Sequence, residues 1–285
     1  SLMCLRPGEF PKSHVGKATK EWFKVLRRLD ESGILELAGE SEVVRGPQGE
    51  DLRAGVFAVR KDRDADRAIL NRQRRNWCEL GVDGVGPTFP HGSLFGELSL
   101  QDLEKLRISC DDLPDFYHTI GVGRERAVSN AFGPAITAAQ AKRFCPRAWS
   151  RWIADGGPPG GADELVISCW GALPMGDLNA VGFAQEPHCN ILAGGGGMRD
   201  SDLLVHRRPV PVGPVAEGVM VDDHVTLGRV CLEASAEDAI AELERAGDLE
   251  DDELAALGGD VGVIARSLRS YARSGQTPKK AKQVR

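Results

Sequence analysis

What this chain lacks narrows it before any motif is read. It has no run of about 18 apolar residues, so no membrane-spanning helix is expected. Its seven cysteines, Cys4, Cys78, Cys110, Cys145, Cys169, Cys189 and Cys231, are scattered without a C-x-x-C pair, which argues against a zinc site. In so long a chain they also argue against a disulfide framework, and reduced thiols in an intracellular protein, nuclear or cytoplasmic, are expected. The opening Ser1-Leu2-Met3-Cys4-Leu5-Arg6 is not a convincing signal peptide, and the missing initiator methionine is expected of a fragment or a processed product. No segment recurs at a period of roughly 20 to 50 residues. Neither an H-E-x-x-H helix nor a Ser-His-Asp order supports a hydrolase. The glycine run 194–197 lacks the G-K-[ST] ending of a P-loop. The net charge of −6 rules out a uniformly basic nucleic-acid binder.

What is present suits a soluble globular protein. The 285 residues, 41% apolar and 27% charged, can build one large or two small domains with a real core. The charge comes in blocks. Arg53 to Arg75 is arginine-rich, Glu233 to Glu253 is acidic, and Lys279-Lys280-Ala281-Lys282 to Arg285 is basic again. Such asymmetry permits a local phosphate-binding surface on an acidic chain.

Periodicity predicts a helix over 18–31, with Trp22, Val25, Leu26 and Leu29 on one face and Gly33 as its stop. Residues 56–59 read as a strand, 87–96 as a Pro/Gly loop, and 156–161 as a flexible insertion. A short helix is predicted from Ser99 to Leu106, with Ser99 as cap and Asp102 three residues on. Arg107 to Cys110 and Leu165 to Cys169 read as strands, and the segment after Gly176 as helix. Two strands are predicted around Asp222-Asp223 within 218–227. Helices follow over 235–246, capped by Ser235 and Asp238, and over 260–274, ended by Gly275. Strands and helices alternate irregularly, which favours an α+β fold over a parallel sheet.

Three segments carry acidic residues of interest: Asp112-Leu113-Pro114-Asp115-Phe116-Tyr117, Leu173-Pro174-Met175-Gly176-Asp177-Leu178-Asn179, and Met220-Val221-Asp222-Asp223. Nucleotidyl transfer needs an in-line attack on a phosphate, and divalent ions held by carboxylates on rigid, adjacent strands serve that chemistry. Asp112 at a strand end and Asp222-Asp223 in a hairpin turn meet the need if their strands pair. An isolated Asp-Asp pair is ordinarily a solvated turn, and His224 after it reads as a turn residue.

Taken in order, the three segments resemble motifs A, B and C of the reverse transcriptase palm. The first has the D-L-x-D-x-[FY] pattern. The second agrees with L-P-Q-G-x-x-N-[SA]-x-x-x-F at Leu173, Pro174, Gly176, Asn179, Ala180 and Phe183, with Met175 in place of the glutamine. The third is similar to the [YM]-x-D-D box. Upstream, Val59-Arg60-Lys61 with Arg67-Ala68-Ile69-Leu70-Asn71 resembles the family's fingers motif, and Gly275 with Lys279 or Lys280 resembles motif D.

The resemblance implies an α+β polymerase palm, an antiparallel sheet backed by helices, over 99–285. A fingers region would occupy 1–98, within one reverse transcriptase domain that lacks a thumb. It implies an RNA-directed DNA polymerase of a retroelement using Mg²⁺ or Mn²⁺ held by Asp112, Asp222 and Asp223. Deoxynucleoside triphosphates would be gripped by Lys61, Arg67, Tyr117, Met175, Gly176, Lys279 and Lys280, and the macromolecular partner would be an RNA or DNA template-primer. Tyr117 stands at the family's steric-gate position, which speaks against the alternative of an RNA-directed RNA polymerase. A degenerate palm that only binds nucleic acid is the other alternative.

Overall fold

The computed structural model describes residues 19–61, 63, 66–82, 88–157 and 161–279. They divide into two compact units that interleave along the chain. One comprises the described residues up to Gly81 together with Tyr117–Ala180, and the other comprises Val82–Phe116 and the residues from Val181 onward. Both units combine helices with antiparallel sheet, as the α+β reading expects.

The first unit begins with α1 (Lys20–Glu31), capped by the Thr19 hydroxyl, which accepts from the Trp22 N–H at 3.3 Å. Gly33 follows at φ 79°, a left-handed turn that glycine adopts without steric cost. Trp22, Leu26 and Leu29 face the core as the periodicity predicts. Val25 does not: it is 38% exposed. Phe23 packs instead, stacking on Phe144 with ring centroids 4.5 Å apart.

Strands β1 (Leu35–Gly39), β2 (Gly55–Arg60) and β3 (Asp66–Asn71) come next, and α2 (Gln73–Asn76) follows β3. β2 and β3 form a hairpin in which Val56 and Ala68 pack on the core, while Phe57 and Val59 are exposed. β1 pairs with β6 (Leu165–Trp170), whose other neighbour is β5 (Ala131–Thr137). β5 is an edge strand containing Pro134, which has no N–H to give a ladder, and its register slips between Phe132 and Ile136. Gly133 sits in that slip at φ 67°, and a Cβ there would lie 2.2 Å from the Trp22 ring. Helices α5 (Ala138–Phe144) and α6 (Pro146–Ala154) complete a core built on Leu26, Leu35, Phe132, Trp152 and Trp170.

In the second unit, β4 (Glu104–Asp112), β8 (Asp223–Cys231) and β7 (Val215–Met220) form an antiparallel sheet in the order β4-β8-β7. The helix expected from Ser99 to Leu106 is absent, because β4 already begins at Glu104. A one-turn helix nucleus is costly, and its hydrogen bonds lose to a ladder that runs unbroken from Glu104↔Cys231 to Asp112↔Asp223. Gly92–Glu97, read as loop, forms a 3-10 helix.

Helices α7 (Ala180–Gly194), α8 (Ala236–Ala246), α9 (Asp251–Ala256) and α10 (Gly259–Arg273) accompany this sheet. Ser235 caps α8 by accepting from the Asp238 N–H at 2.9 Å, and Gly275 ends α10 at φ 73°. Arg107 of β4 grips Asp260 of α10 through two hydrogen bonds of 2.7 Å, fixing the helix on the sheet. Gly228 makes room for this pair, since a Cβ there would meet the Asp260 carboxyl at 2.4 Å. Among the described residues no helix is long and apolar enough to cross a membrane, and the described cysteines are free thiols.

Candidate active site

The sheet of the second unit brings the Asp112 and Asp222-Asp223 segments together. Asp112 ends β4 and stands directly opposite Asp223, the first residue of β8. Opposed residues of an antiparallel pair project to the same face, with Cβ atoms roughly 4.5–5.5 Å apart, so these carboxylates share one face. Asp222 lies in the β7–β8 turn, and its carbonyl accepts from the Leu113 N–H at 2.9 Å. This bond extends the β4–β8 contact by one residue beyond the ladder. The chain then turns at Pro114 and Asp115, the latter at φ 53°, into α3 (Phe116–Thr119).

The hairpin turn is held under strain. Val221 is β-branched yet sits at φ 59°, a region such residues avoid at a cost of order 1–3 kcal/mol. Both of its backbone polar groups are bound: its N–H donates to Gln185 Oε1 at 2.8 Å, and its carbonyl meets His188 Nδ1 at 2.7 Å. Gln185 Nε2 also donates to the Val219 carbonyl at 2.9 Å. A carbonyl only accepts, so the proton of His188 is on Nδ1, and Nε2 accepts from the Tyr271 hydroxyl at 2.8 Å. Burial pushes the His188 pKa down to about 4, which keeps the ring neutral in this role.

The opposite face of the sheet is polar and buried. His224, opposite Asp111, is a buried strand residue and not the turn residue expected. Its Nε2 lies 3.0 Å from Glu217 Oε2, and its Nδ1 lies 3.6 Å from Asp111 Oδ2, an ion-pair rather than a hydrogen-bond distance. Burial opposes the charged ring, but the two carboxylates outweigh it and push the pKa up to about 9. The imidazolium therefore joins β4, β7 and β8 directly behind the aspartate face.

Lys279 reaches the same end of the sheet. Its backbone N–H donates to the Asp112 carbonyl at 3.0 Å, and its Nζ lies 3.1 Å from Asp112 Oδ1. Among the described residues no group of three or more His, Cys, Asp or Glu is gathered to hold a metal ion. A two-carboxylate site is a different demand. Mg²⁺ commonly takes one or two protein carboxylates and completes its shell with water and substrate phosphate. Asp112 and Asp223 stand opposite each other at this end of the sheet, and the Lys279 ammonium places a positive charge on Asp112.

The remaining sequence candidates belong to the first unit or lie outside the description. Lys280 falls outside the described residues. Lys61 follows β2 and is exposed, as is Arg67 on β3, opposite Val59. Tyr117 is half-buried in α3. Met175 is 37% exposed. At Gly176 a Cβ would stand 2.2 Å from the Leu70 carbonyl oxygen, so the glycine is required by close packing on β3. Its carbonyl accepts from Asn76 Nδ2 at 2.8 Å.

Sequence reasoning missed the buried ion cluster beside that glycine. Arg72 pairs with Glu79 at 2.8 Å and with Asp177 at 2.6 Å, and Arg126, on α4 (Arg124–Ser129), pairs with the same two carboxylates. Arg75 Nε lies 3.0 Å from Glu79. Glu217 was missed too, although a glutamate inside the apolar run Val215–Met220 signals a buried partner.

No protein-family model matches the sequence, and no curated protein matches it. Among solved structures the chain is similar to a foamy viral protease–reverse transcriptase in complex with double-stranded DNA, at a TM-score of 0.47 and 12% identity. The similarity covers 95% of this chain and 32% of the viral one, so the chain spans about a third of that protein's length.

Proposed function

We propose that this chain is the palm and fingers part of a template-directed nucleotidyl transferase, an RNA-directed DNA polymerase of the reverse transcriptase type. The observation that supports this reading is the register of Asp112 opposite Asp223, with Asp222 in the adjoining turn. Asp112 and Asp223 would hold the divalent ion, Mg²⁺ or Mn²⁺, with Asp222 beside them. When bound, that ion supplies Lewis-acid stabilisation of the phosphoryl oxygens and lowers the pKa of the attacking hydroxyl. The chain's own part is to keep the carboxylates rigid. The Arg107–Asp260 pair, the His224 bridge and the doubly tethered Val221 turn all serve that end. Arg67 and Lys61 suit the triphosphate, because guanidinium and ammonium groups bind phosphate oxygens by charge-assisted bonds. Tyr117 is the candidate gate against a ribose 2′-hydroxyl.

Primer extension tests this reading, with purified chain, Mg²⁺, deoxynucleotides and either an RNA or a DNA template. Activity should fall on the order of a hundredfold or more in Asp112→Asn and in Asp223→Asn, as for other groups that stabilise transition-state charge. Extension that survives both substitutions would overturn the catalytic assignment. A second reading, a palm that binds nucleic acid without catalysis, draws on the Lys279–Asp112 ion pair, which neutralises one of the carboxylates. Under that reading wild type is inactive on every template and Lys279→Ala does not restore extension.

A further inference from the structure

The glycine run 194–197 gives no P-loop, but it closes one wall of a basic cavity in the second unit. The cavity has a volume of about 400 Å³, within the size range of small-ligand pockets. Gly195 is required by packing, since a Cβ there would lie 1.7 Å from Ser270 Oγ of α10. Bringing the run this close to α10 sets the cavity beside four arginines, Arg199, Arg266, Arg269 and Arg273. Among the described residues the carboxylates lining it are Asp251 and Asp252, leaving two positive charges in surplus on its walls.

The arginines are not equivalent. Arg269 and Arg273 both pair with Asp251, at 3.0 and 2.6 Å. Arg199 and Arg266 make no ion pair among the described residues. Arg266 is only 4% exposed, and its bonds go to neutral carbonyls: Nε to Gly196 at 2.9 Å, Nη1 to Leu257 at 2.7 Å and to Leu254 at 3.3 Å. The Arg199 guanidinium donates to the Ala255 carbonyl at 3.3 Å, and its backbone N–H donates to Glu217 Oε1 at 3.0 Å. Glu217 and Asp202 favour the Arg266 charge from beyond ion-pair distance, and a guanidinium fork is shaped for phosphate oxygens.

We propose that this cavity binds a phosphate monoester, a dianion that matches the surplus charge better than the singly charged diester of a nucleic-acid backbone. The group could come from a free mononucleotide or from the 5′ end of an oligonucleotide. The site is independent of the polymerase reading, since none of its residues belongs to the aspartate face.

Binding is measured by calorimetry in EDTA, so that no divalent ion supports phosphate binding elsewhere. The probes are AMP, a 5′-phosphorylated oligonucleotide and the same oligonucleotide with a 5′-hydroxyl. Wild type should bind AMP saturably. Arg199→Ala and Arg273→Ala, both at exposed side chains that spare the fold, should each weaken it at least tenfold. Asp251→Asn, which removes a competing carboxylate, should tighten it about threefold or more, an effect that a purely structural role would not produce. Binding of AMP together with the phosphorylated oligonucleotide places the source at nucleic-acid ends as well, and binding of AMP alone restricts it to free nucleotides. Measurable binding of both oligonucleotides with equal affinity, no AMP binding, or AMP binding indifferent to all three substitutions would overturn the proposal.

Discussion

Asp177→Ala should be among the most damaging single substitutions outside the apolar core. Asp177 and Arg72 both have fully buried side chains and meet at 2.6 Å. Burial pushes the Arg72 pKa down, while Asp177 and Glu79 hold the guanidinium charged. Removing Asp177 leaves Arg72, Arg75 and Arg126 to share Glu79 alone. Breaking a buried pair from one side costs about 3–5 kcal/mol, because the orphaned charge keeps its desolvation penalty. A domain with about 5–15 kcal/mol of total stability would lose from about a fifth of it to nearly all of it. All five tryptophans, Trp22, Trp77, Trp149, Trp152 and Trp170, belong to the same unit, so their fluorescence during urea denaturation reports this loss directly. The pair should also behave as a pair. Arg72→Met with Asp177→Leu should cost far less than the two single changes summed, since an apolar replacement carries no buried charge. A loss below about 1 kcal/mol for Asp177→Ala, or additive single and double mutants, would refute the account of this cluster as buried and mutually dependent.

Other outcomes follow from the same reasoning. Stability of the second unit should peak near pH 6.5. The raised pKa of His224 makes its contribution complete below about 6.5 and lost as pH rises through about 9. The depressed pKa of His188 makes its contribution complete above about 6.5 and lost as pH falls through about 4. Each limb amounts to roughly 3 kcal/mol at about 1.4 kcal/mol per pKa unit. His224→Gln should flatten the alkaline limb of a circular-dichroism melting series and leave the acid limb. Gly176→Ala should lower the melting temperature, since its new Cβ meets backbone at Leu70, and overpacking costs about 1–3 kcal/mol; an unchanged melt would show that the β3 contact is looser. If the chain extends primers, Tyr117→Ala should admit ribonucleotides and Arg67→Ala should raise the nucleotide KM. Unchanged values would remove either residue from the substrate site.

Much of the secondary structure could be read locally because its signals are local. Ser235 caps its helix where the capping pattern stands, and Gly33 and Gly275 follow helix ends as read, while Thr19, read inside the first helix, is its cap. The turn at Pro114 follows from a residue with no N–H to offer a strand. The two strands read around Asp222-Asp223 are the β7–β8 hairpin. The failures are non-local. Ser99 and Asp102 look like a helix start, yet β4 begins at Glu104 because its partner β8 lies more than a hundred residues downstream. His224 reads as a turn residue unless Glu217 and Asp111 are known to flank it. Arg72, in a run of arginines, reads as solvated, and only the fold shows that Asp177 and Glu79 bury it.

The interleaving of the two units also governs how the chain emerges during synthesis. β4 leaves the ribosome with both edges unpaired and must wait for β8, its neighbour in the sheet. The delay is about 110 residues, roughly 5–20 s at ordinary elongation rates of about 5–20 residues per second. Meanwhile Tyr117–Ala180 completes the first unit. The strand that carries Asp111 and Asp112 therefore spends its first seconds as an exposed template for foreign strands. Its charged residues, Glu104, Lys105, Arg107 and the terminal aspartates, discourage such pairing in the nascent chain.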